Sequence, residues 1–228
     1  MALQHVDPAT LDDLQTRVQY LRNFIEFTQA DADVLHAAKP VVGPLVPDLV
    51  DRVYNKLLSF DITAAAFTPK QTGQDGDDAS EAKVDELNHD HPNIKFRKDF
   101  LRGYLVKLVS LDYNKPEAWA YLDKVGIMHT GVPGFAHRKK KPALRVEYIH
   151  CALLLGLVED MLVDAVILHP DIDLKTKHAV CRAVNKLLWI QNDLFARHYL
   201  EDEKLNTSRI VVLRPWRTMC HVLYVALL

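Results

Sequence analysis

The stretch that decides the fold is Trp119-Ala120-Tyr121-Leu122-Asp123-Lys124-Val125-Gly126-Ile127-Met128-His129-Thr130-Gly131. Pro116, just ahead of it, stands where a helix begins, because the first turn has no use for the N–H that proline lacks, and Asn114 is placed to cap it. Gly131 can take the left-handed conformation that stops a helix. One short helix is therefore expected. Leu122, Val125 and His129 fall on it at i, i+3 and i+7, which puts the imidazole on the apolar face in the last turn.

An imidazole so placed has two readings. It is a core histidine bonded to a neighbouring carbonyl, or it is an axial metal ligand. Neutral imidazole is the commonest metal-binding side chain, and a histidine on a helix is one way to hold haem iron. The rest of the chain has to supply a pocket for the second reading to stand.

The chain has 228 residues, is 49% hydrophobic and 25% charged, and has eight glycines. That is enough for one substantial core, and one domain with short extensions is expected. The formal net charge of −2 recruits neither nucleic acid nor an anionic membrane globally. Cys151, Cys181 and Cys220 are odd in number and far apart, and they read as reduced thiols of a cytoplasmic protein. The first seven residues lack the basic and apolar regions of a secretion signal, and no uncharged run is long enough to span a membrane.

Several helices can be read from the order of residues. Asp7-Pro8 opens an amphipathic helix over about 8–26, with Leu11, Leu14, Val18, Leu21 and Ile25 on one face. Thr28, with Asp31 three residues on, opens a second that stops before Pro40. From Pro47 a third carries Val46, Leu49, Val50, Val53, Tyr54, Leu57 and Leu58 on a broad apolar face, where the Tyr54 phenol calls for a partner. The polar, acidic stretch from Thr68 to Asp90 is a long surface loop with a helical turn around Glu81–Leu87. Asp75, Asp77 and Asp78 within it lack the spacing of a calcium loop, and His89 and His91 have no third ligand nearby.

His91-Pro92 opens a helix whose apolar face is expected to hold Phe96, Phe100, Leu101, Tyr104, Leu105 and Leu108, with Gly103 marking the close approach of something bulky. The loop from Gly131 to Pro142 carries Arg138, Lys139, Lys140 and Lys141, a solvated run in which some charge can meet an anionic ligand group. Residues 146–166 are apolar nearly all round, which suggests a partner subunit. The last helix, over about 173–200, has Val180, Val184, Leu187, Leu188, Gln191, Leu194, Phe195 and His198 on its stripe and Trp189 off it, a candidate for a subunit contact. Residues 201–228 form an extension of mixed acidic, basic and apolar character. No strand pattern, nucleotide-binding glycine motif, nucleophile elbow or HExxH motif is present.

The ordered set RNFIEFT (Arg22–Thr28), a helix with Tyr54, FRKDFLRGYL (Phe96–Leu105), VGIMH (Val125–His129), a long apolar helix and a final amphipathic one resembles the protoglobins and the globin domains of globin-coupled sensors, over roughly residues 15–200. The resemblance implies an all-α globin fold, a three-over-three helical sandwich, with an extra N-terminal helix and no D helix. It places His129 at the proximal haem ligand, Tyr54 at the distal tyrosine and Phe100 at a bulky distal aromatic. Leu154 and Val158 match pocket-lining positions, and Val53, Tyr104, Leu122 and Val125 complete the set expected against the haem. Val53 departs from the family, which carries a tryptophan there, so a roomier distal side is expected.

The resemblance further implies haem b (iron protoporphyrin IX) held by His129, with reversible binding of oxygen, carbon monoxide and nitric oxide, as a gas carrier or sensor. A haem enzyme drawing electrons from an external reductant, such as a nitric-oxide dioxygenase, peroxidase or nitrite reductase, is the alternative. A homodimer through the helices at about 146–166 and 173–200 is also expected, and residues 1–200 would be the globin domain.

Overall fold

The computed structural model describes residues 3–69, 82–131 and 145–210, the last ten by backbone alone. Among these residues there are helices and no strand. The acidic cluster of Asp75, Asp77 and Asp78 and the Arg138–Lys141 run fall outside them, as do Cys220 and residues 211–228.

The expected first helix is broken in two. A 3-10 turn spans Pro8–Asp12, and α1 runs Leu14–Phe24. Asp13 makes the break: its carboxylate accepts from the Thr16 N–H at 2.8 Å and from the Thr16 hydroxyl at 2.9 Å, which caps a new start. Next, α2 spans Gln29–Ala37. The Asp31 carboxylate accepts from the Thr28 N–H at 2.8 Å and the Thr28 hydroxyl at 3.0 Å, as the sequence pattern predicts.

α3 spans Lys39–Leu58 and begins well before the predicted Pro47. Pro44 and Pro47 lie inside it, each removing one backbone donor. The helix persists through them because Val42, Val46, Leu49, Val50, Val53 and Tyr54 are all buried along one side. A one-turn helix, α4 (Asp61–Ala64), and a 3-10 turn (Ala65–Phe67) follow. Val84–Glu86 forms a further 3-10 turn, within the segment predicted to hold one.

α5 spans Pro92–Leu108, α6 Pro116–His129, α7 Tyr148–Leu168 and α8 Leu174–Ile210. Two local predictions at their ends need correction. The residue before α6 is Lys115 rather than Asn114, whose amide instead donates to Gln29 Oε1 at 2.6 Å. α8 runs on past the predicted end at about Leu200, to Ile210. The Asp173 carboxylate caps α8 by accepting from the Thr176 N–H at 3.1 Å.

α8 is the spine. It packs on α7, α6 and α2, while α3 packs on α5 and α7. Ion pairs tie the N-terminal helices to it: Arg17 to Asp193 at 2.5 Å, and Lys186 to Asp31 at 3.0 Å. A cluster of rings closes the end of the core near α1, where the Trp119 indole donates to the Tyr113 carbonyl at 3.0 Å and Phe27 packs edge-on against both rings.

Candidate functional site

Gly131 has φ 80°, the left-handed conformation expected of it, so α6 ends with His129 as its last residue. His129 Nδ1 lies 2.8 Å from the Val125 carbonyl oxygen, one turn back. A carbonyl only accepts, so Nδ1 carries the proton, and in the neutral ring the lone pair is on Nε2. The Phe195 ring from α8 meets the imidazole edge-on at 5.2 Å between centroids. The Val146 N–H donates to the His129 carbonyl at 2.8 Å and holds the end of α6 to the approach of α7.

The closeness of α6 and α8 depends on Gly126. A Cβ built there would stand 2.5 Å from the Leu194 backbone oxygen and 3.1 Å from the His198 ring, which no side chain tolerates. A mid-helix glycine costs helix stability unless a close approach requires it. That signal lies in the sequence, although helical spacing alone passes over it. Two buried polar links reinforce the crossing. Asp123 accepts from His198 Nε2 at 2.9 Å and Arg197 Nη1 at 3.3 Å. Gln191, fully buried, donates to the Leu122 carbonyl at 3.1 Å and accepts from the Tyr104 hydroxyl at 3.3 Å. Tyr104 from α5 and Leu122 from α6 thus meet on α8.

Tyr54 is buried in α3 with Val53 fully buried beside it. Its ring packs against Phe67 at 5.6 Å between centroids. No hydrogen bond to its hydroxyl occurs among the described residues. Burial pushes the phenol well above its ordinary range, with a smaller opposing pull from the Arg97 charge, so it stays protonated and can only gain by donating.

The α5 side differs from expectation. Phe100 is 57% exposed and stacks edge-on with the exposed Phe96 at 4.9 Å. Gly103 is open, with nothing within 4 Å of a built Cβ, so no bulky neighbour approaches it. The inward stripe is instead Ile94, Lys98, Leu105 and Leu108, flanked by the half-buried Arg97, Leu101 and Tyr104. The helix is turned this way because buried Lys98 finds Asp51 at 2.8 Å and His89 Nδ1 at 2.6 Å. His89 in turn bonds Asn55 at 2.8 Å, and His91 caps α5 by accepting from the Asn93 N–H at 3.1 Å. Both ring nitrogens of His89 and Nδ1 of His91 are thus engaged in hydrogen bonds.

Val158 is buried and Leu154 half-buried on the inner side of α7, and Val125 is half-buried beside His129. A pocket of about 400 Å³ between α2, α3 and the α7–α8 corner, lined by Val34, Ala38, Val41, Val166 and Val180, includes none of these residues.

A family model described as Protoglobin matches residues 14–205. The chain belongs to the Protoglobin family. The globin domain of the Geobacter sulfurreducens globin-coupled sensor has the same fold, with a TM-score of 0.59 and 19% identity over 79% of this protoglobin and 96% of that domain. No curated protein matches the sequence. A globin family implies a haem and diatomic gas ligands, and the residues here fit such a group. Among the described residues no three His, Cys, Asp or Glu side chains gather to hold a metal. His129, with the proton held on Nδ1 by the Val125 carbonyl, presents the tautomer that suits a metal whose other ligands arrive with the cofactor.

Proposed function

We propose that this protoglobin holds a b-type haem through His129 Nε2 and reversibly binds oxygen, carbon monoxide and nitric oxide on the side of Tyr54, as a gas carrier or sensor. The observation that carries the reading is the 2.8 Å bond from His129 Nδ1–H to the Val125 carbonyl. It selects the tautomer a ligand needs, and a carbonyl acceptor raises the basicity of the far nitrogen. When bound, the haem supplies an iron that coordinates a diatomic gas reversibly.

The chain's own residues do the rest. Phe195 holds the plane of the imidazole, and Leu122, Val125, Leu154 and Val158 supply apolar surroundings that keep water away. Tyr54, protonated and with its hydroxyl uncommitted to any described residue, donates to a ligand that carries partial negative charge. Such a bond is worth about 1 kcal/mol net, and more where water is excluded.

The test is the absorption spectrum of purified protein, as isolated, reduced and under carbon monoxide. A Soret band that shifts with carbon monoxide is expected in the wild type. His129→Ala, folded by circular dichroism, should lose it, and an undisturbed spectrum in that variant removes the assignment.

Dimerisation through α7 and α8 belongs to the same reading. Ile149 and Leu153 on α7 and Trp189 on α8 are exposed at 60%, 67% and 57%, more apolar surface than an isolated helix pair usually leaves in water. Sedimentation velocity of the wild type against Trp189→Glu tests it. Free Cys151, whose thiol burial pushes up to about 11, and free Cys181 support a reducing, cytoplasmic setting.

A further inference from the structure

The pocket of about 400 Å³ at the α7–α8 corner takes no part in the haem reading. It stays open for a simple reason. Where α2 and the start of α3 face α8, the opposed side chains are Val34, Ala38 and Val41 on one side and Ala179 and Val180 on the other, too short to fill the gap. Ala38, Val180 and Val166 of α7 are buried at its base. Protein interiors normally close such a gap, because the atoms lining it forgo dispersion contacts on one side. Its size falls within the range of small-ligand sites, about 300–1,000 Å³. The rim is polar, and its two charges are not equally occupied. Asp173 is taken up by the start of α8, its carboxylate accepting from the Thr176 N–H at 3.1 Å and the Thr176 hydroxyl at 2.6 Å. Lys175, exposed at the mouth, makes no hydrogen bond or ion pair with any described residue.

We propose that this pocket binds a single-chain amphiphile with an anionic head, in chemical class a free fatty acid, its alkyl chain between α2 and α8 and its carboxylate at Lys175. The buried side chains at the base are all apolar and offer no donor or acceptor, so the inner part of the ligand must be hydrocarbon. The head is an anion rather than an ammonium because the acid at the rim is already bonded, whereas the lysine is not. Lysine suits a carboxylate at a mouth of this kind, since its flexible stem lies along apolar wall while the charge stays in water. Neither His129 nor Tyr54 lines the pocket, so occupancy does not depend on a haem.

Isothermal titration of the full chain with octanoate, decanoate and dodecanoate, below their micelle concentrations, tests this. One site per chain is expected, tightening by about fourfold for each methylene that the pocket takes from water. Lys175→Met should weaken decanoate by about tenfold and Lys175→Glu by more, with decanol changed by less than about twofold. Ala179→Phe, which fills the gap, should abolish binding of acid and alcohol alike; should it not fold, Thr176→Trp at the rim takes its place. Absence of binding to the wild type, or affinities untouched by the filling variants, would overturn the proposal. So would decyltrimethylammonium binding as tightly as decanoate. Vesicles of phosphatidylglycerol should not retain the protein, and retention that Lys175→Glu abolishes would reassign the surface to a lipid bilayer and end the proposal of a free ligand.

Discussion

The two sides of the proposed pocket are built differently. On the His129 side, α6 meets α8 backbone to backbone: Gly126 admits the Leu194 carbonyl, Asp123 ties down Arg197 and His198, and Gln191 bonds the Leu122 carbonyl. On the Tyr54 side, α3 meets α5 through side chains, with Phe67 between Tyr54 and Arg97 and with Lys98 reaching across to Asp51. The first arrangement has no slack, which suits a residue that must hold one position. The second leaves the Tyr54 hydroxyl with no described partner, so a ligand can take it up without breaking a bond to the protein. Under the proposed function, holding the haem falls to the first region and donating to its ligand to the second.

Four substitutions test this contrast. The largest effect should come from Asp123→Ala, which strips the carboxylate from the buried Arg197 guanidinium and from the His198 Nε2, and is expected to destabilise the fold by about 3 kcal/mol in urea unfolding. Gly126→Ala should come next, at about 2 kcal/mol, because the new methyl meets backbone that cannot swing away. A loss under about 0.5 kcal/mol would mean that α6 and α8 separate freely and that the tight wall is not tight.

Tyr54→Phe should act in the opposite direction. Removing a hydroxyl that bonds no described residue is expected to leave the stability of the haem-free protein unchanged or raise it by up to about 1 kcal/mol, while oxygen dissociates faster from the loaded protein. Destabilisation would place Tyr54 among the structural residues. The smallest effect should be that of Phe100→Ser, within about 0.5 kcal/mol and with unchanged carbon monoxide affinity, because that ring faces solvent. A changed carbon monoxide affinity there would restore Phe100 to the pocket.

How much of this is legible in the sequence differs from element to element. The caps and stops are: Thr28 with Asp31, Pro92, Pro116 and Gly131 act within four residues of where they stand. The inward placement of His129 and Tyr54 is legible too, since both follow from helical spacing. The roll of α5 is not. Two aromatic residues and a glycine suggest one inner face, and the helix adopts another, because Lys98 has a carboxylate waiting on α3. Nothing near Lys98 in the chain announces Asp51. The start of α3 is hidden for a related reason: prolines at 44 and 47 argue locally against a helix, and burial of Val42 and Val46 outweighs them.

By itself, the sequence determined that the chain is helical, where several helices start and stop, and that an imidazole and a phenol face inward, because caps, prolines and the 3.6-residue repeat are short-range physics. Only the tertiary structure decided which face of α5 lies inward, that Gly126 must be bare, that Gln191 joins three helices, and that Arg97 shares a ring with Tyr54. Each of these depends on what a helix distant in sequence presents at the point of contact, and that is settled when the helices pack.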